Sequence, residues 1–493
     1  MIESRIQRNS KVWIQFKGPH HLLIRRINMG KITNAMQQIN PTARTENGAV
    51  THATSHSDCV DLFAIGASSR GQYITNLFDK AVVEDQEVSV RIAQWIRDVR
   101  GGAGERQTFR DLFAHLIENR LGLAKRLLVK VPQIGRWDDV LVAVGTPLEP
   151  EAFELIRVGL NTPETANLCA KWMPRQGAVA YKLRKAFSMT PKGWRKMLVA
   201  LSNTVEQKMC AKQWHEIEFG KLPSKAAAMY QNAFKRNDEA RYHAYVEGLQ
   251  EGTEKINAGA IFPHDVVLSA VNGSDKVATE QWKALPNYME ESGESILPLI
   301  DVSLSMNRFV GSGSITCMDA AVSLGLYTSE RMGGLFKEHF ITFHERPQLL
   351  KVQGTSLAKR VNNIKSTNWG GSTNIQSAFN LILTAAIKNK LTQEDMPTTL
   401  LILSDMEFNL ASGRKTNFQV VKGKFEDAGY ELPKIIFWNL SGREGNSPVT
   451  VHDDRTALVS GFSPAIMKAV LAAKTVTPVD IMLEAVMDGR YDF

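Results

Sequence analysis

Cysteine is scarce in this chain. Four occur in 493 residues, Cys59, Cys169, Cys210 and Cys317. They are scattered and form no C-x-x-C pair, which argues against a zinc ribbon and against a disulfide framework. Buried thiols in a reducing cytoplasm are expected instead. Long apolar runs are missing too. Nothing approaches the roughly 18 residues that cross a membrane, and the N-terminus MIESRIQRNSKVW lacks the apolar core of a signal peptide. Strand signals are nearly absent between about residues 61 and 291, and no strict internal period is found.

What is present divides the chain. At this length two or three domains are expected. Residues 1–60 read poorly: residues 12–16 form a short strand-like run, and 41–56 are rich in Thr, Asn, Gly and Ser, as in a loop. Residues 61–292 are helical. Val88, Ile92, Trp95, Ile96 and Val99 recur at helical spacing, as do Phe109, Leu112, Phe113 and Leu116, with a Gly-rich turn from Arg100 to Arg106 between them. Further helices are expected at 121–131, 138–144, 150–160, 191–212, 225–235, 238–249, 264–271 and 276–291. Short helices with short connections predict stacked pairs in a HEAT-like repeat. Residues 293–493 change texture. Apolar runs at 297–300, 339–343, 399–403, 434–440 and 457–460, with a weaker edge run at 348–352, alternate with helical runs at 318–332, 357–364, 374–389, 418–427 and 464–471. A final helix is expected over 478–488. That alternation predicts an α/β, doubly wound, Rossmann-like sheet.

In such sheets ligands bind beyond the carboxyl ends of the strands. The run at 296–300 ends on Asp301-Val302-Ser303-Leu304-Ser305, a carboxylate followed by two hydroxyls at alternate positions. Trp369-Gly370-Gly371-Ser372-Thr373-Asn374 is a Gly-rich turn that carries a Thr hydroxyl before a helix. The run at 398–404 ends on Asp405. Hard oxygens suit Mg²⁺ or Mn²⁺ rather than zinc. Ser303, Ser305 and Thr373 would ligate directly, and Asp301 and Asp405 directly or through water. With few carboxylates on the ion, an open position could take a carboxylate or phosphate from a partner. Glu407, His339 and His344 lie near strand ends and read as structural residues or as supports behind the ligands. No nucleophile–base pair can be assembled, so a binding protein is expected rather than an enzyme.

Charge is uneven. Residues 1–290 hold 39 Lys and Arg against 30 Asp and Glu, so the whole net charge of +8 and more resides there. An anionic partner is expected for this part, nucleic acid first. Residues 171–196 contain no acid and carry Lys171, Arg175, Lys182, Arg184, Lys185, Lys192, Arg195 and Lys196, interleaved with Trp172, Tyr181, Phe187 and Trp194. Cations would neutralise phosphates, and a ring such as Trp194 would stack an unpaired base. The alternative puts the rings in the core and leaves the cations as a solvated face. The 100–106 turn reads as a helix connection that could also cradle a phosphate through its amides. Asp138 and Asp139 stand at a helix start, where the dipole favours them.

The order Asp-x-Ser-x-Ser, Thr, Asp resembles the metal-ion-dependent adhesion site (MIDAS) of von Willebrand factor A domains. With GGAGER at 101–106, GRWDD at 135–139, KWMPR at 171–175, DVSLSM at 301–306, WGGSTN at 369–374, SDMEF at 404–408 and SGFSP at 460–464, the chain resembles the TROVE–von Willebrand A layout of Ro ribonucleoproteins. It looks closer still to phage, bacterial and plant proteins that share this layout. The resemblance implies a helical HEAT-like domain followed by an A domain, and binding of single-stranded RNA ends or small non-coding RNA. The competing expectation is a docking adaptor or assembly factor whose metal grips an acidic residue of a protein partner. Leu304 departs from the small residue common in such motifs but removes no ligand.

Overall fold

A computed structural model describes residues 42–69, 72–289, 295–310, 315–343, 346–367, 373–410, 415–473 and 476–493. The strand-like run at 12–16 lies outside them. The described chain opens with a small antiparallel pair, β1 (Thr42–Arg44) and β2 (Val50–His52). Helices then follow to residue 283. Gln86–Arg97 is capped by Asp85, which accepts from the amides of Glu87 and Val88. It buries Val88, Ile92, Trp95 and Ile96, and Gln107–Asn119 buries Phe109, Leu112, Phe113 and Leu116, as the spacing predicts.

Several boundaries move. The helix expected at 191–212 is two, Pro191–Leu201 and Val205–Cys210. At the break Ser202 Oγ donates to the carbonyl of Leu198, and Asn167 Oδ1 accepts from the amide of Asn203, local bonds that compete with continuation. The helix expected at 225–235 breaks at Tyr230 into Ser224–Met229 and Gln231–Asn237. That expected at 276–291 stops at Lys283, just before Pro286. The helix expected at 138–144 is a 3₁₀ helix, Trp137–Ala143, with Val144 extended after it and Gly145 at φ 89°. Pro163–Trp172 and Gly177–Ala186 are helices the periodicity did not delimit.

The second half is a six-stranded sheet of β3 (Ile296–Asp301), β4 (His339–Phe343), β5 (Gln348–Lys351), β6 (Thr399–Ser404), β7 (Lys434–Asn439) and β8 (Thr456–Ser460), in the order β5-β4-β3-β6-β7-β8. All neighbours are parallel except β4 and β5. Every residue of β3, β6 and β8 is buried, as a strand covered on both faces requires. The chain winds outward from β3 in both directions, so β3 and β6 flank the topological switch point, where ligands bind in such sheets.

One apolar core runs from Ala49 to Tyr491 through both halves. Helix Asp58–Gly66 packs on β8, where Ser460 Oγ donates 2.8 Å to the carbonyl of Phe63. Helix Pro478–Val486 packs on β8 and on Gln86–Arg97. The helical region therefore covers one edge of the sheet.

The 100–106 turn is a connection in which several amides are used internally. Gly102 N donates to Asp98 O at 3.1 Å, Ala103 N to Trp95 O at 3.0 Å and Glu105 N to Ile96 O at 2.7 Å, so these three do not face a ligand. A Cβ on Gly102 would lie 2.0 Å from the carbonyl oxygen of Trp95. Gly102→Ala should therefore destabilise the protein by about 1–3 kcal/mol, whereas Gly122→Ala, with nothing within 4 Å of the new methyl, should be neutral or mildly stabilising. Denaturant melts of the two variants check this; equal midpoints would refute it.

Candidate functional site

Asp301 ends β3, and Ser404 ends β6 beside it. Their pairing register, Ile300 opposite Leu403, brings Ser404 Oγ to 2.5 Å from Asp301 Oδ2, while the amide of Ser303 donates to Oδ1 at 2.9 Å. The turn after β3 hydrogen-bonds Ser303 Oγ to Ser305 Oγ at 3.0 Å. Asp405 follows β6 and accepts from the amide of Glu407 at 3.2 Å. Asp301, Ser303, Thr373 and Asp405 are buried, and Ser305 is half-buried. Burial first, and then the nearby negative charge of Asp405, push the carboxyl of Asp301 up to about 7. Thr373 joins the same edge: its carbonyl accepts from the amide of Asn409 at 3.1 Å, which ties its loop to the one after β6. Trp369, Gly370, Gly371 and Ser372 of the same turn, and His344, lie outside the described residues.

This donor set fits a hard divalent ion. Two buried carboxylates repel one another, and hydroxyls stand beside them, so a cation would relieve the repulsion. Ser303, Ser305 and Thr373 would hold Mg²⁺ or Mn²⁺ by their hydroxyls, with Asp301 and Asp405 supplying the charge. Among the described residues no cluster of three or more His, Cys, Asp or Glu forms a conventional cage. The side chains of Glu407 and His339 are engaged elsewhere. Glu407 is fully buried in an ion pair with Arg443 (Nε to Oε1, 2.6 Å). His339 begins β4, at the opposite edge of the sheet, and its Nδ1 bonds the carbonyl of Lys337.

The periodicity gave no sign of the strap over this edge. Residues 44–49 touch the three loops that carry the site. Glu46 pairs with Arg308 at 2.9 Å, beyond the Ser303–Ser305 turn. Asn47 Nδ2 donates to Thr373 Oγ1 at 3.3 Å and to the carbonyl of Glu407. Glu46 N donates to Glu407 Oε2 at 2.6 Å, and Thr45 Oγ1 to the carbonyl of Phe408. Arg443 bonds both Glu407 and the carbonyl of Arg44. The strap's partners lie between 262 and 399 residues away in sequence, so no local pattern could reveal them.

The basic stretch separates into kinds. Trp194 is core, 0 % exposed, its Nε1 bonded to the carbonyl of Pro174 and its ring against Phe187, so the expectation of base stacking there is corrected. Lys171 pairs with Glu206 at 3.0 Å and Lys182 with Glu149 at 2.9 Å. Arg184 lies over the ring of Tyr181. Arg175, Lys185, Lys192, Arg195 and Lys196 are exposed. Asp138 and Asp139 do stand at a helix start, but arginines hold them: Asp139 takes Arg97 at 2.7 Å and Arg110 at 2.6 Å, and Asp138 takes Arg136 at 2.6 Å.

Fold and site together define a protein with an α-helical region and an α/β domain. Two families match it. The domain of unknown function DUF7788 matches residues 295–489, and the domain of unknown function DUF2828 matches 45–120 and 170–294. An uncharacterized protein of Acanthamoeba polyphaga mimivirus is 30% identical over 499 residues, which cover 89% of this chain and 86% of that protein. The chain belongs to the family that includes this mimivirus protein.

Folding raises the pKa of Asp301 from 3.8 to about 7, so the folded state holds a proton that the unfolded state releases, and without divalent metal this group's contribution to stability falls as pH rises through that window. Mg²⁺ bound here would replace that proton, so it should raise Tm more at pH 8 than at pH 5, and Asp301→Asn should remove most of the increment. Equal increments in both proteins would sink the site. Separately, Arg443→Ala leaves Glu407 charged and buried, and should cost about 3–5 kcal/mol in urea unfolding. An unchanged midpoint would show that the strap is held by other contacts.

Proposed function

We propose that the protein is a non-enzymatic RNA-binding protein, laid out like the Ro ribonucleoproteins, in which a helical HEAT-like domain contacts RNA and a von Willebrand A-type domain carries a Mg²⁺-dependent docking site. The observation that carries the RNA reading is the exposed face of helix Pro191–Leu201. Lys192, Arg195 and Lys196 stand at i, i+3 and i+4 on it, while Trp194 and Leu198 are buried on the other face. A one-sided row of cations on a rigid helix suits a phosphate backbone, and Arg175 and Lys185 lie on neighbouring segments. The strand order, with Asp301 and Asp405 at the switch point, supports the A-type assignment. The bonds of Glu407 to Arg443 and to the strap speak against its use as a general base.

A second reading has its own observation. Leu304, Phe309 and Leu410 are 75%, 66% and 60% exposed on the loops beside the candidate metal ligands. Apolar side chains there favour a protein partner that offers an acidic residue to the ion over a polyanion.

Both readings are testable on the full chain. Single-stranded RNA should bind with a steep salt dependence, and Lys192→Ala, Arg195→Ala and Lys196→Ala combined should flatten the log–log slope by about 2 units if each cation neutralises one phosphate. The Asp301→Asn variant should keep that slope. RNA bound with the same slope by the triple variant would refute the ridge, and Mg²⁺-dependent retention of an acidic protein without RNA would favour the adaptor.

A further inference from the structure

The arginines around Asp138 and Asp139 are more than those carboxylates need. Arg97, Arg110 and Arg136 all bond to the two aspartates, and Arg110 Nη2 and Arg136 Nη2 share one oxygen, Asp138 Oδ2, at 2.9 and 2.6 Å. Asp139 is fully buried, and the side chains of Arg110 and Arg136 are only 24% and 30% exposed. Three guanidinium groups thus already balance two carboxylates with one positive charge to spare. Arg106 adds a fourth. It stands four residues before Arg110, and the amide of Arg110 donates to its carbonyl at 3.0 Å, so the two side chains leave the same face of the helix.

Among the described residues no carboxylate stands within ion-pair distance of Arg106, although Asp138 and Asp139 are near enough to act on its charge. The acids nearest to it in sequence are committed. Glu105 Oε1 accepts from the amides of Gln107 and Thr108, and Asp111 accepts from Gln107 Nε2. Asp98, at the start of the same turn, is taken by Arg490 and Tyr491. Burial, and then the positive charges of Arg136 and Arg110, lower the pKa of Arg106, and the charges of Asp138 and Asp139 offset this only in part. Arg136 is also fixed in place, its guanidinium 3.8 Å from the ring centre of Trp172. A rigid, half-desolvated cluster with surplus positive charge and an exposed rim is what an oxyanion needs.

We propose that Arg106, with Arg110 and Arg136 behind it, binds a phosphate group. Arg106 presents the free guanidinium fork, and the other two supply a fixed positive field. The ligand is a phosphoryl anion, whether a free phosphate or a phosphate at the end of an RNA strand. The site does not depend on the exposed face of helix Pro191–Leu201, nor on the metal site.

The test uses the full-length protein with sodium phosphate at ionic strength matched by sodium chloride, and with an oligoribonucleotide carrying either a 5′-phosphate or a 5′-hydroxyl. Wild type should gain Tm from phosphate beyond the chloride control. Arg106→Ala should weaken phosphate binding by about tenfold or more, the loss expected for a charge-assisted hydrogen bond. Arg106→Lys should retain part of the affinity, which separates lost charge from lost fold, and circular dichroism checks that both variants are folded. Phosphate stabilisation that is absent in wild type, or equal in wild type and Arg106→Ala, overturns the proposal. Stabilisation lost in Arg106→Ala together with tighter binding of the 5′-phosphorylated strand supports the site with RNA as its source. The same loss with no preference between the two strands supports it with free phosphate as the ligand, and then the RNA reading above stands or falls on its own salt slope.

Discussion

The parallel pairing of β3 with β6 is the constraint on which the rest depends. Its register sets Asp301 beside Ser404 and brings Asp405 near enough for the two carboxylates to feel one another's charge. Parallel strands need crossovers on both faces, and this chain supplies them: helix Cys317–Arg331 crosses β3 and β6, and Gly325 on that helix leaves room for Ile300 and Leu403. A wider residue there would push the helix from the two strands that carry the site. Apolar burial thus fixes the spacing of two charged groups that would otherwise move apart.

Two electrostatic clusters deal with buried charge in different ways. At the sheet edge Glu407 is paired with Arg443 and accepts one amide of the strap, while Asp301 and Asp405 lie close enough for each to act on the other's charge. In the helical region the imbalance runs the other way, with four arginines around two aspartates. A cation at the first and an anion at the second would each complete what the side chains leave unfinished. The same desolvation that makes each arrangement costly also makes each selective for ligand charge.

The strap ties the two halves to one another. Residues 44–49 come before the helical region in sequence yet bind the loops of the sheet, and the helix at 58–66 then covers β8. The segment looks like a loop by composition because Thr45, Asn47 and Gly48 serve turn geometry and side-chain bonding rather than a periodic apolar face. Its role is set by partners far away in the chain.

Much of the α/β half could be read from the residues alone. Strands β3, β6, β7 and β8 fall within a residue or two of their apolar runs, since a strand buried on both faces needs an unbroken apolar stretch, and that is a local property. The Asp-x-Ser-x-Ser turn and Asp405 were legible for the same reason: each sits where such a stretch stops. The helical half was less legible. Breaks at Ser202 and Tyr230 depend on short-range bonds and caps that compete with periodicity by a small margin. Spacing could not say which side of a helix faced inward, and so Trp194, which reads equally well as a stacking platform, proved to be core. Local sequence determined where strands end and which oxygen donors stand there. Tertiary packing decided which of those donors meet, that Glu407 is paired, that Asn47 reaches Thr373, and that Arg106 is left over, because charge compensation is settled between residues that the chain brings together only when folded.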